Sequence, residues 1–398
     1  MDTNNKLPLS GIRVIEFSHM VMGPSAGVVL ADMGADVIKV EPLQGDKTRI
    51  LKGSGAGYFA MYNRNKRSIR LDLKSEKGSG IARNLVASAD VLIENFRPGA
   101  MNKLGFDYET LSAENPGLIY CSNRGFLTGP YEHRTALDEV TQMMGGLAYM
   151  TGPPGRPMRA GASVIDVMGG MFGALGILAA LEQRHRSGKG QRLTSSLFES
   201  TVFLMGQHMA QYAVTGTPAA PMPVRISAWA IYDVFETSDG ERVFVGVVSD
   251  SQWLTFCKDF GFDELLADED LRVNNKRVDA RDRILPIVRD AFLQVSRDEL
   301  MQRLESSGLP FAPIMRPEDL FDDPHLGASG GLLDLTLPDG QRTRLPALPL
   351  EMSGERFSAL RSPPGSGEHT VEILREAGFD ADEVAALLDE GVASAGDD

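Results

Sequence analysis

Few residues in this 398-residue chain have both the type and the setting to do chemistry. Asp166 stands out, placed within Arg159 to Gly170, RAGASVIDVMGG, a run of small and apolar residues that continues as MFGALGILAALEQRHRSGKGQ. Two readings of it are open. An aspartate near the start of a helix satisfies orphan amides as an N-cap. The same geometry suits a covalent nucleophile, because dipole and amide donors keep a carboxylate ionised while Gly169 and Gly170 leave room for a substrate carbonyl. Other chemistries find less support. The histidines stand at 19, 133, 185, 208, 325 and 369, with no i, i+4 pair and no acidic cluster beside them, so no metal site is expected. Cys121 and Cys257 lack CxxC or CxxH spacing, and no G-x-S-x-G marks a serine nucleophile.

Two further stretches carry potential binding groups. SHMVMGPSAG, after the first strand, offers Gly23 and Gly27 with Pro24 between them, so the G-x-G-x-x-G that admits a pyrophosphate is missing and NAD(P) is disfavoured despite Glu41 at the next strand end. NRNKRSIRLDLK gathers Arg64, Lys66, Arg67, Arg70 and Lys74 into one short run. Such a run is either a solvated face or an anion site, for instance for a nucleotide phosphate. EQRHRSGKGQR reads as a polar turn closed by a glycine C-cap at Gly188.

The scaffold that must hold these residues reads as α/β. GIRVIEF, DVIKVE, RSIRLDL, DVLIENF and GLIYCSN are strand-length apolar runs alternating with helical segments, which predicts βαβ units and a parallel sheet. Ligands bind beyond the carboxyl ends of such strands, so the tips at residues 19–24, 41–46 and 94–99 are the places to look. Val164 to Leu181 is apolar enough to mimic a membrane span, but Asp166 and its glycines favour a buried, closely packed helix. Residues 1–213 are expected to form the first part of a large domain, 214–228 a proline-bearing linker, and 229–325 a small α+β domain around a hairpin at Ser238-Asp239-Gly240. Residues 326–398 should return to the large domain, ending in two helices and a frayed VASAGDD.

Lys and Arg total 40 against 54 Asp and Glu, a formal charge of −14, which argues against a nucleic-acid or anionic-membrane partner. The N-terminal MDTNNKLPLSGIRVIEF lacks a basic segment leading into an apolar one, so no signal peptide is read there, and a cytoplasmic setting is expected.

Four stretches together resemble a known family: LPLSGIRVIEFSHMVMGPSAGVVLADMGADVIKVEPLQGD, YNRNKRSIRLDLK, ADVLIENFRPGAMNKLGFDYETLSAENPGLIYCSNRGF and GASVIDVMGGMFGALGILAALEQRHRSGKGQRL. They are similar to the class III CoA-transferases, which include formyl-CoA and carnitine CoA-transferases. The resemblance implies a Rossmann-like large domain built from both ends of the chain, a small domain between, and two subunits interlaced as a ring-like homodimer. It implies that Asp166 is the nucleophile, forming aspartyl anhydride and aspartyl-CoA thioester intermediates, and that Asp138 lies near the catalytic centre. Coenzyme A enters as the acyl-CoA substrate, with no tightly bound cofactor, and the resemblance carries CoA contacts to His19, Met20, Val21, Met22, Leu71, Lys74, Asn95, Phe96 and Lys103.

Departures narrow the activity. Val21 stands where formyl-CoA transferases carry glutamine, and PAAPMPVRISAW replaces their glycine-rich loop, which disfavours an oxalate acceptor. The related 2-methylacyl-CoA racemases, which work by α-proton abstraction, pair the acid with a histidine where this chain has Ala136-Leu137-Asp138, leaving racemisation as the alternative. Met20, Val21, Met22 and the Met143 to Met150 region suggest either a fairly apolar acyl pocket or, as is commoner for methionines at such spacing, core packing, and Arg225 is either a partner for a second substrate carboxylate or a solvated linker residue.

Overall fold

Strands bounded by turn residues build the frame. In the computed structural model, which describes residues 7–225 and 227–396, β1 (Arg13–Phe17), β2 (Asp36–Glu41), β3 (Lys66–Leu71), β4 (Val91–Glu94), β5 (Ile119–Arg124) and β6 (Arg192–Ser196) pair in parallel in the order β3-β2-β1-β4-β5-β6. Strand order reverses between β1 and β4, and at such a switch point the flanking connections diverge and leave a crevice beyond the strand ends. The connections carry α1 (Met22–Asp32), α2 (Tyr58–Tyr62), α3 (Glu76–Ala87), α4 (Ala100–Leu104) and α5 (Tyr108–Glu114). Between β5 and β6 lie α6 (Asp138–Met144), α7 (Leu147–Thr151) and α8 (Val164–Ser187), and α9 (Leu197–Thr215) follows β6.

Alternation along the strands feeds two cores, one on each face of the sheet. Ile15, Phe17, Ile38 and Leu92 pack with Ile81 and Leu85 of α3, while Val14, Val37, Val91 and Ile93 pack with Ala26 and Leu30 of α1 and with Ala174 and Ile177 of α8. α8 alone among the described helices is long and apolar enough to cross a membrane by length and composition, yet its glycine side is pressed against α1. A Cβ on Gly170 would meet the Met22 carbonyl oxygen at 2.5 Å and Ser25 Cβ at 2.6 Å, and one on Gly169 would meet Met22 Cε at 2.6 Å. These two glycines therefore admit the neighbouring helix, and they do not open space for a substrate carbonyl as their place beside Asp166 suggests.

The basic run around β3 is likewise internal. Arg64 pairs with Asp32, Lys66 with Glu16 at 2.8 Å, and Arg67 with Asp36, Glu372 and Glu376, all within the same unit of the chain. Arg64 and Lys66 are at most 1% exposed and pair with the buried carboxylates of Asp32 and Glu16, and Arg67 is tied to three partly exposed ones, so these three residues are neither a solvated face nor a phosphate site; Lys74, at the end of the run, is exposed.

The chain divides into two compact units, Met1–Pro221 with Pro324–Asp398, and Met222–Asp323. In the second unit β7 (Tyr232–Glu236) and β8 (Arg242–Gly246) form the antiparallel hairpin, with Phe235 opposite Val243. Five helices follow, α10 (Asp250–Phe260), α11 (Asp263–Ala267), α12 (Asn274–Asp279), α13 (Arg281–Phe292) and α14 (Arg297–Ser306), before β9 (Phe311–Pro313) joins β8. Trp253, Phe256, Phe292 and Leu300 fill its core. This unit begins at Met222, inside the stretch read as linker, and α9 runs into the start of that stretch, to Thr215, before it stops at Gly216, whose φ of 68° suits a residue without a side chain.

The returning chain of the first unit adds α15 (Pro324–Ala328), the hairpin β10 (Leu332–Thr336) with β11 (Arg342–Pro346), and the short pair β12 (Glu351–Met352) and β13 (Glu355–Arg356). α16 (Thr370–Glu376) and α17 (Ala381–Asp389) complete one face of the sheet, and β14 (Ala393–Ser394) pairs antiparallel with β3. VASAGDD is thus not frayed through Ser394, because Ala393 is buried beside Leu71. Its last two residues lie outside the described residues, as do residues 1–6, on which the reading of the N-terminus partly falls.

Candidate active site

Asp166 is the third residue of α8, not its cap. Ser163 occupies the N-cap, but its side chain caps no amide of the helix, and the helix start is capped across space by Asp138 at the first position of α6. Asp138 Oδ2 accepts from the Ile165 amide at 2.9 Å and from the Asp166 amide at 3.1 Å. Its Oδ1 accepts from Gln142 Nε2 and lies 3.5 Å from the Arg159 guanidinium. The amides that could have held the charge of Asp166 are therefore committed to a second carboxylate.

That arrangement sets the protonation of the candidate nucleophile. Burial first, then the negative charge of Asp138, push the Asp166 carboxyl up from its ordinary 3.8 to about 7, with Arg159 pulling the other way. The expectation that helix dipole and amides keep it fully ionised is corrected by who occupies those amides. Near neutrality the group is split between its two forms.

A cavity of about 470 Å³ opens at the strand tips and is lined by Asp166, Asp138, His19, Met20, Val21, Met22, Asn95 and Phe96. The structure thus brings eight of the sequence-predicted site residues to one place. The His19 ring lies tilted against Phe96, with centroids 5.6 Å apart, and burial lowers its pKa, favouring the neutral imidazole. Met22 packs with Ile165 and Leu197 beneath the start of α8.

Leu71, Lys74 and Lys103 are not brought there. Leu71 is 1% exposed, its side chain packed in the sheet core; Lys74 is exposed in the turn after β3, and Lys103 is exposed on α4. The Met143 to Met150 region also lies off the cavity, with Met143 and Met144 exposed and Met150 buried. Arg225 lies in the second unit, its guanidinium reaching Met222.

Five further residues that the sequence reading did not name as candidates line the cavity: Tyr58, Arg97, Arg124, Arg134 and Arg159. Arg124 is held by Glu94 at 2.6 Å and by the Phe96 carbonyl, and Tyr58 Oη lies 3.3 Å from Ser163 Oγ. The Arg134 guanidinium sits 4.9 Å from the Tyr131 ring centroid. Arg97 in ENFRPG and Arg124 at the end of β5 stand at strand tips, where their place was legible; Tyr58 lies on the short α2, and Arg134 and Arg159 lie on segments without periodicity. Among the described residues no cluster of His, Cys, Asp and Glu suits a metal ion.

Residues 9–370 match CoA-transferase family III. The chain belongs to this family. This class III CoA-transferase is 37% identical to a succinate–glutarate CoA-transferase of Agrobacterium fabrum, over 94% of this chain and 96% of the relative. It is 32% identical to the succinyl-CoA:glutarate CoA-transferase of Homo sapiens, over 98% and 91% of the two chains. An acetyl-CoA:oxalate CoA-transferase of Acetobacter aceti is 34% identical over 88% and 90%. Its fold is similar to that of a CAIB/BAIF family protein from Brucella suis, with a TM-score of 0.80, 35% identity, and 93% and 99% of the chains covered.

Proposed function

We propose that this CoA-transferase moves CoA from an acyl-CoA thioester to a free carboxylic acid through Asp166. The observation that carries the reading is a carboxylate with no hydrogen-bond donor to it among the described residues, standing at the start of α8 in a cavity lined by the tips of β1 and β4. An Asp166 oxygen attacks the thioester carbonyl carbon, the C–S bond breaks, and a mixed anhydride forms with release of CoA thiolate. The thiolate then attacks the aspartyl carbonyl, the anhydride C–O bond breaks, and the donor acid leaves behind an aspartyl-CoA thioester. An acceptor carboxylate reverses both steps and departs as the new acyl-CoA. Each bond broken is replaced by one of comparable reactivity, so the exchange balances without ATP.

A pKa near 7 serves both directions of this cycle, since Asp166 must attack as an anion and leave as a carboxylate. Asp138 holds the helix start and, by its own charge, keeps Asp166 from being too weak a base. Excluding water matters because anhydride and thioester both hydrolyse, and the apolar side chains of Met20, Val21 and Met22 line the approach.

For the acid we infer a small dicarboxylate. Relatives are named for succinate, glutarate and oxalate, each with two carboxylates. Arg97 and Arg134 line the cavity with no carboxylate partner among the described residues, leaving guanidiniums available for the second carboxylate. We further propose a cytoplasmic setting and a homodimer; the dimer is supported by Met171 and Leu175 of α8 and Phe203, Met209 and Tyr212 of α9, all more than half exposed.

The test is an acid-to-acid exchange assay with succinyl-CoA as donor and a panel of mono- and dicarboxylic acids, read by mass spectrometry. Transfer to dicarboxylates that disappears in Asp166→Ala supports the reading. Deuterium uptake at the acyl α-carbon without exchange would replace it with racemisation by α-proton abstraction.

A further inference from the structure

The segment after β1 reaches the cavity in an unusual backbone conformation. Met20 has φ of +63°, in the left-handed region that a residue with a side chain enters only when its surroundings insist. Side chains from three separate segments supply that insistence. Lys39 Nζ of β2 donates to the Ser18 carbonyl at 2.7 Å. Asn95, after β4, accepts from the His19 amide at 3.0 Å and donates to the His19 carbonyl at 2.8 Å. Thr48 Oγ1 accepts from the Met20 amide at 2.9 Å.

Two of these holds are joined behind the cavity. Asp46 places one oxygen 2.9 Å from Lys39 Nζ, while the other accepts from the Thr48 hydroxyl at 2.7 Å and from the Thr48 amide at 2.9 Å. Because the Thr48 hydroxyl gives its proton to a carboxylate, its lone pairs are left to face the Met20 N–H. Lys39 is fully buried and Thr48 is 2% exposed, so water does not compete for these bonds. None of Lys39, Asp46 and Thr48 lines the cavity.

We propose that Lys39, Asp46 and Thr48 are positioning residues of CoA transfer, a linked clamp that fixes the backbone at Ser18 and Met20, on either side of the Asn95-held His19, so that His19 to Met22 meet the substrate in one geometry. The inference rests on the transfer reading above. Its cost to the protein explains its construction: a strained residue held by one bond would relax, whereas three consecutive residues each tied from a different segment cannot rotate independently. The clamp reaches the reaction only through the loop, so it acts on how well the bound substrate is aligned.

Thr48→Val tests it, since it removes the acceptor for the Met20 amide with little change of shape, whereas Lys39→Met would strand the buried Asp46 and risk the fold. Thr48→Ser keeps the hydroxyl and is the conservative comparison. Ile284→Val, in the core of the second unit, controls for loss of stability alone. Three quantities are read well below the melting temperature: kcat and KM for succinyl-CoA, the affinity for CoA by calorimetry, and amide hydrogen exchange of a peptide spanning residues 17–23. The expected result for Thr48→Val is a fall in kcat/KM of roughly tenfold, the scale of one lost hydrogen bond, with faster exchange in that peptide. Thr48→Ser and Ile284→Val should stay within about twofold of the parent protein in kcat/KM. The proposal is overturned if Thr48→Val keeps kcat/KM within that margin, if Thr48→Ser is as impaired as Thr48→Val, or if activity falls without a change in peptide exchange. Should the unmodified protein transfer no CoA between acids, the transfer reading fails on its own. CoA affinity then judges the clamp, and an affinity unchanged by Thr48→Val overturns it.

Discussion

Replacing Asp166 by asparagine should make the larger unit more stable at alkaline pH, by an amount that grows between pH 5 and pH 8. The carboxyl is raised from 3.8 to about 7 by burial and by Asp138, so the folded protein holds a proton that the unfolded chain has already released. A group with a raised folded-state pKa contributes stability that is present below its unfolded value and is lost as pH climbs through the folded one. At about 1.4 kcal/mol per pKa unit the fully developed penalty is on the order of 4 kcal/mol. Asp166 is only half-buried and faces a solvent-filled cavity, which reduces this to roughly 2 kcal/mol. Part of the penalty is already present at pH 5, so the stability difference between Asp166→Asn and the parent protein should widen by about 1–2 kcal/mol from pH 5 to pH 8. Urea unfolding of both proteins at the two pH values measures it, and groups common to both cancel in the difference. A difference that stays flat refutes the raised pKa. One that narrows with pH would mean that the helix start holds Asp166 ionised, the arrangement an N-cap would have given.

Three further outcomes follow from the packing around the site. Asp138→Ala removes the acceptor of two α8 amides and should cost about 1–2 kcal/mol. It also removes the neighbouring charge, so the acid limb of the pH profile of kcat/KM should move to lower pH. Gly170→Ala should cost about 2 kcal/mol or more in unfolding experiments, because its Cβ would meet the Met22 carbonyl oxygen at 2.5 Å; Gly206→Ala, with nothing within 4 Å, should be neutral or stabilising. Arg134→Met should raise KM for a dicarboxylic acceptor by roughly tenfold while changing KM for a monocarboxylic one far less, measured in the same exchange assay.

Legibility followed the physics of each element. β1 to β5 were readable because short apolar runs between turn residues have few other solutions, and the strand tips followed from them. Asp166 was readable as the candidate residue, and its neighbours misled. Gly169 and Gly170 sit beside it in sequence, but helical periodicity turns them onto α1, a contact set by a chain segment more than a hundred residues away. Arg64, Lys66 and Arg67 look like an anion site in a linear reading because their partners, Asp32, Glu16 and Glu376, are distant in sequence. The cap at α8 was hidden for the same reason: Asp138 reaches the helix from another element, and nothing local to Ser163 announces it. Arg134 and Arg159 lie in loops, where no periodicity indicates which way a side chain turns. The edge strand at Ala393–Ser394 is too short to register as a pattern, and only its partner β3 makes it a strand.

The central claim, that Asp166 carries the transferred group covalently, is tested most directly by trapping. The protein is incubated with succinyl-CoA in the absence of acceptor acid, reduced with borohydride, digested and mapped by mass spectrometry. An aspartyl-CoA thioester at Asp166 would be reduced to the corresponding alcohol, so the account predicts homoserine at position 166, diminished when acceptor acid is present and absent in Asp166→Ala. Active enzyme with position 166 unmodified under turnover, or with the modification on another residue, would contradict it.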